Sequence, residues 1–186
     1  MRTVEIWQKK ILPKKIQSLF PPRIQRDLRL YSAPEMPEIP ESMYIYGDHC
    51  IGKTIYSAWI LLQEEKRLYL ENIPGQCIFV GTVELFHEIK KTFEESNRTN
   101  IHTSDVLEKY KNVHLLVLDD FGTMKPTDWV FEILYLLINY RYEHMKTTIF
   151  TSNFSLQEIE TMLGDSRITS RIERMGQVKR KAKLRK

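Results

Sequence analysis

Gly47-Asp48-His49-Cys50-Ile51-Gly52-Lys53-Thr54 is the stretch from which the rest of the chain can be read. It fits G-x-x-x-x-G-K-[ST], and its surroundings fit as well. Met43-Tyr44-Ile45-Tyr46 leads in as a short apolar strand, and Thr54 to Gln63 (TIYSAWILLQ) leads out as an apolar helix. Gly47 and Gly52 let the backbone curl until its N–H groups face an anion. Lys53 adds a mobile cation for the β- and γ-phosphates of a nucleotide. The Thr54 hydroxyl can ligate Mg²⁺, and the following helix points its positive end at the phosphates. We therefore take Gly47, Asp48, His49, Cys50, Ile51, Gly52, Lys53, Thr54 and Ile55 as the ATP-binding segment. His49 and Cys50 sit at variable loop positions and are assigned no chemistry of their own. A redox role for Cys50 is the alternative reading.

A nucleotide site needs a carboxylate, and one lies downstream. Leu115-Leu116-Val117-Leu118-Asp119-Asp120 is an apolar run closed by two acids. A carboxylate at the carboxyl end of a buried parallel strand faces the ligand crevice. Asp119 is expected to hold Mg²⁺, and Asp120 to orient and deprotonate the attacking water. Alone, the pair also reads as a polar turn before Gly122. Thr147 to Phe150 is a further strand that runs into Thr151-Ser152-Asn153. The Asn153 amide can position the water or sense the γ-phosphate, although asparagine after a strand also serves as a turn or cap residue.

Working outward, strands alternate with helices. Gln76 to Val80 and Val113 to Leu118 read as strands; Val83 to Glu94, Trp129 to Tyr142 and Leu156 to Leu163 read as helices. That alternation predicts an α/β fold, a parallel sheet covered by helices on both faces. Six prolines punctuate the first 42 residues and leave room for short helices near Lys14 to Phe20 and Ile24 to Leu30. Two cysteines and five histidines show no metal-ligand spacing, and no apolar run approaches the ~20 residues of a membrane helix. With no apolar signal core, the expectation is a cytoplasmic protein with no membrane partner.

The net charge of +4 conceals an uneven distribution. Residues 1–29 carry +6 and residues 167–186 carry +8, while residues 30–166 carry −10. Basic ends on an acidic body suggest contact with a polyanion; solubility alone is the other reading. The run 176–186 holds Lys179, Arg180, Lys181, Lys183, Arg185 and Lys186 and no acid, so it is the candidate nucleic-acid contact.

Beyond the loop and the acidic pair, three stretches carry a family resemblance. Ile138 to Tyr142 is similar to an I-N-x-R-Y box, Thr147 to Asn153 (TTIFTSN) to a sensor-1 strand, and Arg167 to Arg171 to an R-I-x-S-R box. Together with the Walker A loop and the Leu115–Gly122 Walker B segment, they resemble the P-loop NTPase (AAA+/ASCE) domain of DnaC-type replicative helicase loaders and their IstB-type transposition relatives. The resemblance implies ATP and Mg²⁺ as cofactors, self-association into a homo-oligomer on ATP binding, single-stranded DNA and a replicative DNA helicase as partners, and a bacterial setting. It makes Lys53, Asp120, Asn153 and Arg171 the catalytic set, with Arg171 as the arginine finger reaching a neighbour's γ-phosphate. Arg167 and Arg141 become supporting or interface arginines. A solvated helix face carrying Arg167, Arg171 and Arg174 is the plainer alternative.

Departures are also visible. The loop lacks the usual Pro-Pro-Gly lead, Tyr69 to Gln76 looks like a short insertion, and 15 residues after Arg171 are too few for a helical lid domain. The expected organisation is a leader and connector over 1–42 that docks a helicase, an ATPase domain over 43–175, and a basic tail over 176–186. Trp7, Phe20 and Tyr31 can stack on bases, or equally anchor the leader on the body or on a helicase. A leader so short resembles a small phage- or plasmid-encoded loader. The rival functions are an IstB-like transposition helper and a nucleotide-switched DNA- or protein-binding module with little turnover. The boxes argue against a small-molecule kinase.

Overall fold

The computed structural model describes residues 11–31, 40–95 and 103–180. Its five strands are β1 (Ser42–Tyr46), β2 (Cys77–Gly81), β3 (Leu115–Phe121), β4 (Thr147–Ser152) and β5 (Gly176–Arg180). They form one parallel sheet in the order β2-β3-β4-β1-β5. Eight helices lie among the described residues: α1 (Leu12–Leu19), α2 (Pro22–Leu30), α3 (Lys53–Glu71), α4 (Thr82–Glu95), α5 (Thr103–Asn112), α6 (Asp128–Glu143), α7 (Leu156–Leu163) and α8 (Arg167–Met175). Parallel neighbours need long crossovers, and helices supply them here. Among the described residues, no helix is long and apolar enough to cross a membrane.

Side-chain alternation sorts the core into two layers. Met43, Ile45, Leu115, Val117 and Ile149 face one side, where Ala58 and Leu61 of α3, Ile16 of α1, Ile24 and Leu28 of α2, and Phe20 between those two helices close over them. Tyr44, Leu116, Leu118 and Phe150 face the other side, beneath α4 to α8. The expected α/β sheet with both faces covered is thus the observed one, and no lid follows among the described residues.

The leader is not a free arm over 12–30. Its apolar residues are spent on the body: Phe20 is buried with its ring edge-on to Phe79, the centroids 5.2 Å apart. Lys15 pairs with the buried Glu65 carboxylate of α3 at 2.5 Å. Phe20 therefore cannot stack on a base; Tyr31 is exposed, and Trp7 lies outside the described residues. Burying each such apolar side chain contributes on the order of 2 kcal/mol before chain entropy is charged against it.

Other boundaries moved for physical reasons. Of the stretch read as an insertion, Tyr69 to Glu71 are the last residues of α3, which ends at Asn72 in the left-handed conformation at φ 54°, and residues 73–76 link it to β2. Val106, Leu107 and Tyr110 bury one face of α5, a helix the sequence reading passed over. Gly176 to Arg180 is not tail: it pairs along the whole of β1, from Ser42↔Gly176 to Tyr46↔Arg180. A side chain at Gly176 would put its Cβ 1.8 Å from the Ser42 carbonyl oxygen, so glycine permits that approach. The sheet therefore extends past the expected domain end at 175.

Candidate functional site

Between β1 and α3 the backbone turns three times through conformations unusual for side-chain-bearing residues. Gly47 (φ 139°), Cys50 (φ 60°) and Gly52 (φ 84°) all have positive φ. Gly47 and Gly52 adopt it without a Cβ penalty. Gly52 is the N-cap of α3 and brings no side chain there, so the positive end of the helix opens onto the loop. Asp48, His49 and Cys50 are exposed on the outer rim, while Ile51 is buried and Ile55 packs on the α3 side of the sheet.

Lys53 opens α3 and is buried. Its Nζ donates to the carbonyl oxygens of Gly47 and Asp48, both at 2.8 Å, and to Oδ1 of Asn153 at 2.9 Å. Those three acceptors match the three donors of an ammonium. Burial lowers its pKa, opposed by Asp120 and Asp119. Asn153 is aimed by its neighbours. Ser152 Oγ donates to the Phe121 carbonyl at 2.6 Å and accepts from Phe154 N–H at 3.0 Å, and Tyr44 Oη donates to the Phe154 carbonyl at 2.8 Å.

The acidic pair sits on a bulge. β3 and β4 are in register at Leu118↔Phe150 and again at Phe121↔Ser152, so β3 carries one extra residue opposite Thr151. Asp120 takes up the excess at φ 55°. The side chain of Thr151 fills the gap: its Oγ1 accepts from Asp120 N–H at 3.1 Å and donates to Asp119 Oδ1 at 2.5 Å. Thr54 Oγ1 donates to the same carboxylate at 3.0 Å, and Thr82 Oγ1 donates to the Asp119 carbonyl at 2.9 Å. Asp119 is buried and Asp120 exposed. Burial, helped by Asp120, pushes the Asp119 carboxyl up to about 6 despite the Thr151 and Thr54 hydroxyls.

The arginines divide. Arg141 is fully buried and is neither an interface residue nor a support for the nucleotide. Its Nη1 donates to the carbonyls of Tyr110, Lys111 and Val113, its Nη2 to that of Thr147 at 2.6 Å, and its Nε to Thr148 Oγ1 at 2.8 Å. The first two carbonyls end α5, where a helix leaves acceptors unpaired and carries negative partial charge. Arg141 thus pins α6 to the end of α5 and the start of β4, at the far end of the sheet from Lys53. Burial pushes its pKa down to about 9, so it stays charged at neutral pH. Arg167 is exposed, pairs with Asp165 at 2.9 Å, and stacks over Phe131 and Tyr135. Arg171 makes its contacts on α6 with Asn139 and Tyr135, and none of its contacts is with Lys53, Asp119 or Asn153 of its own chain. Lys179 and Arg180 are exposed on β5; Lys181, Lys183, Arg185 and Lys186 lie outside the described residues.

Comparison with known proteins matches this arrangement to a family model. The model described as "IstB-like ATP binding protein" covers residues 43–177. The chain belongs to the IstB-like family of AAA+ ATP-binding proteins. It is 26% identical over 121 residues to the replicative helicase loader DnaI of Bacillus subtilis, a match spanning 64% of this chain and 35% of that one. The crystal structure of the DnaC helicase loader superposes with a TM-score of 0.62 at 24% identity, over 90% of this chain and 96% of that one. A structure of the replication initiator DnaA bound to AMPPCP and single-stranded DNA gives 0.63 at 18% identity, over 85% of this chain and 44% of that one. Those two likenesses are of fold. The chain spans about a third of the length of the curated helicase loader it matches.

For an IstB-like ATP-binding protein, an Mg²⁺ ion beside the phosphates is implied, and the residues fit it. Thr54 Oγ1 and the Asp119 carboxylate offer hard oxygen donors 3.0 Å apart, the small protein ligand set that magnesium usually combines with water and phosphate. Sequence reasoning found the loop, the acids and Asn153. It missed Thr151 and Thr82, which set the acids, and Asn139 and Tyr135, which hold Arg171. The T-S-N run was a signal for Thr151, and the I-N-x-R-Y box one for Asn139, though neither says what the residue holds; Tyr135, 36 residues from Arg171 in sequence, left none.

Proposed function

We propose that this protein is an ATPase of the helicase-loader type, which binds ATP and Mg²⁺, self-associates, and delivers a replicative ring helicase onto single-stranded DNA. The observation that carries the reading is the shared wiring of the site. One lysine joins the phosphate loop to Asn153, and one carboxylate joins Thr54 to Thr151, so phosphate loop, acidic strand and sensor strand respond together. An arriving γ-phosphate would take over the Lys53 ammonium from its internal acceptors and so alter the hold on Asn153. Asp120, exposed and close enough for its charge to act on that ammonium, would orient and deprotonate the attacking water. Magnesium, held by Thr54 and Asp119, would offset charge on the phosphate oxygens. Arg171 would stabilise the transition state from the next copy, which makes hydrolysis weak alone and stimulated by assembly. The similarity to helicase loaders and the DNA-bound DnaA of the same fold support the partners. Lys179 and Arg180 with the basic residues beyond them are the proposed backbone contact, which predicts a steep salt dependence.

The test is a paired capture and ATPase measurement. Wild type and Lys53→Ala serve as bait in the native host extract, and ATPase is followed with and without single-stranded oligonucleotide. Helicase captured by wild type alone, with DNA-stimulated turnover, supports loading. Capture of a transposase instead would move the protein to the transposition branch. Partner binding without turnover, unchanged in Asp120→Asn, would make it a nucleotide-switched module.

A further inference from the structure

Two sequence boxes that lie far apart in the chain meet through side chains on the α6–α8 face. Asn139, from the I-N-x-R-Y stretch, accepts a hydrogen bond at Oδ1 from Nε of Arg171, from the R-I-x-S-R stretch. The amide is oriented from behind: its Nδ2 donates to Glu143 Oε1 at 2.9 Å. A carboxylate only accepts, so Glu143 fixes the NH₂ group on its side and turns the amide oxygen toward Arg171. Tyr135 supplies the second hold. Its hydroxyl accepts from Arg171 Nη2 at 3.2 Å, and its ring lies under the guanidinium, 5.0 Å from centroid to carbon. The helix itself gives the third, since Arg171 Nη1 donates to the Arg167 carbonyl at 3.0 Å.

We infer that Asn139, oriented by Glu143, and Tyr135 are positioning residues that aim Arg171 at the nucleotide of a neighbouring copy. The inference rests on the reading of Arg171 as an arginine acting between copies. A guanidinium has five N–H donors, and these contacts use three of them. Nε and one N–H on each Nη are engaged, leaving one N–H on each Nη. Two donors on one planar group suffice to meet two phosphate oxygens. An arginine on a free helix surface would have to freeze several rotors at the moment of binding; this one is already held. The arrangement also explains why the two boxes occur together: one presents the cation and the other holds it.

The experiment uses mixtures of full-length variants. Lys53→Ala cannot use ATP but keeps its arginine; Arg171→Ala holds ATP but lacks the arginine. Neither hydrolyses ATP well alone, and mixing them restores turnover at sites where the first lends its arginine to the second. Adding Asn139→Leu to the arginine-lending chain is expected to cut the restored rate about tenfold, the effect of losing an aligning hydrogen bond to a charged group. Adding it to the ATP-holding chain, which has no arginine to aim, is expected to leave the rate within about twofold. Tyr135→Phe, which keeps the ring, gives a smaller loss with the same one-sidedness and guards against a misfolded leucine variant. Equal losses on both chains would overturn the inference and make the cluster a structural clasp. A gain on the lending chain would overturn it too, since Arg171 would then be latched away from use. If the parent mixture restores nothing, the reading of Arg171 between copies falls, and the inference with it.

Discussion

Replacing Asp119 with asparagine should stabilise the protein while disabling its site. The wild-type carboxyl is buried and pushed up to about 6 from its ordinary 3.8. Its neutral form therefore suits the fold, and the stability associated with it is lost as pH rises from below 3.8 through about 6. A displacement of about 2 units corresponds to about 3 kcal/mol withheld from the folded state at pH 8. Asparagine removes the charge at similar size and keeps one oxygen for the hydroxyls that share Oδ1, but its NH₂ only donates and cannot take the 3.2 Å contact that Thr54 makes to Oδ2, which returns about 1 kcal/mol. The net gain of about 2 kcal/mol should raise Tm by about 4–8 °C for a chain of this length. The assay is thermal unfolding of wild type and Asp119→Asn with EDTA and without nucleotide, at pH 8 and pH 5. The gain should be full at pH 8 and shrink at pH 5, where much of the wild-type carboxyl is already neutral. Saturating ATP and Mg²⁺ should reverse the order, because only wild type gains from binding. A variant no more stable than wild type at pH 8, or a gain unchanged at pH 5, would refute the reasoning.

Three further outcomes follow from the geometry. Thr151→Val keeps the shape of a fully buried side chain but breaks both bonds on the bulge, so ATP turnover should fall about tenfold with ATP affinity within about threefold; Thr151→Ser should recover most of it, as steady-state and binding assays would show. Arg141→Met should cost about 3–5 kcal/mol in denaturant unfolding, because it leaves four carbonyl oxygens without their buried donor, yet the folded fraction should bind ATP as wild type does. Gly176→Ala should lower stability by about 1–3 kcal/mol in the same measurement, since its Cβ would meet the Ser42 carbonyl at 1.8 Å.

What the sequence disclosed was what is local. The loop, the acidic strand end and the T-S-N run each fit within ten residues, and each requires particular residue types at fixed spacing. The alternation of strands and helices carried the fold for the same reason. Arg141 shows no local sign of its role because four of its acceptors are backbone carbonyls, which have no residue signature and come from two other segments. Arg171 was found, but its holders on α6 were not, because no local pattern ties Asn139 to a residue 32 positions later. The bulge at Asp120 was invisible because two adjacent acids read alike, although one is buried against two threonine hydroxyls and the other stands in the left-handed region facing water. The polar, basic composition of β5 reads as tail. Its place depends on main-chain pairing with β1, to which side chains contribute little.

That fifth strand has a consequence for anyone who trims the protein. β1 is apolar and buried from Met43 to Ile45, and β5 covers its outer side. A fragment ended at Met175 would leave β1 as a bare sheet edge, with open N–H and C=O groups and apolar flanks, the kind of template on which chains stack into aggregates. β5 takes over that edge with Lys179 and Arg180 exposed on it, and charged residues on an outermost strand discourage the addition of another. Five residues that bury almost nothing thereby act as a solubility guard for the sheet they close.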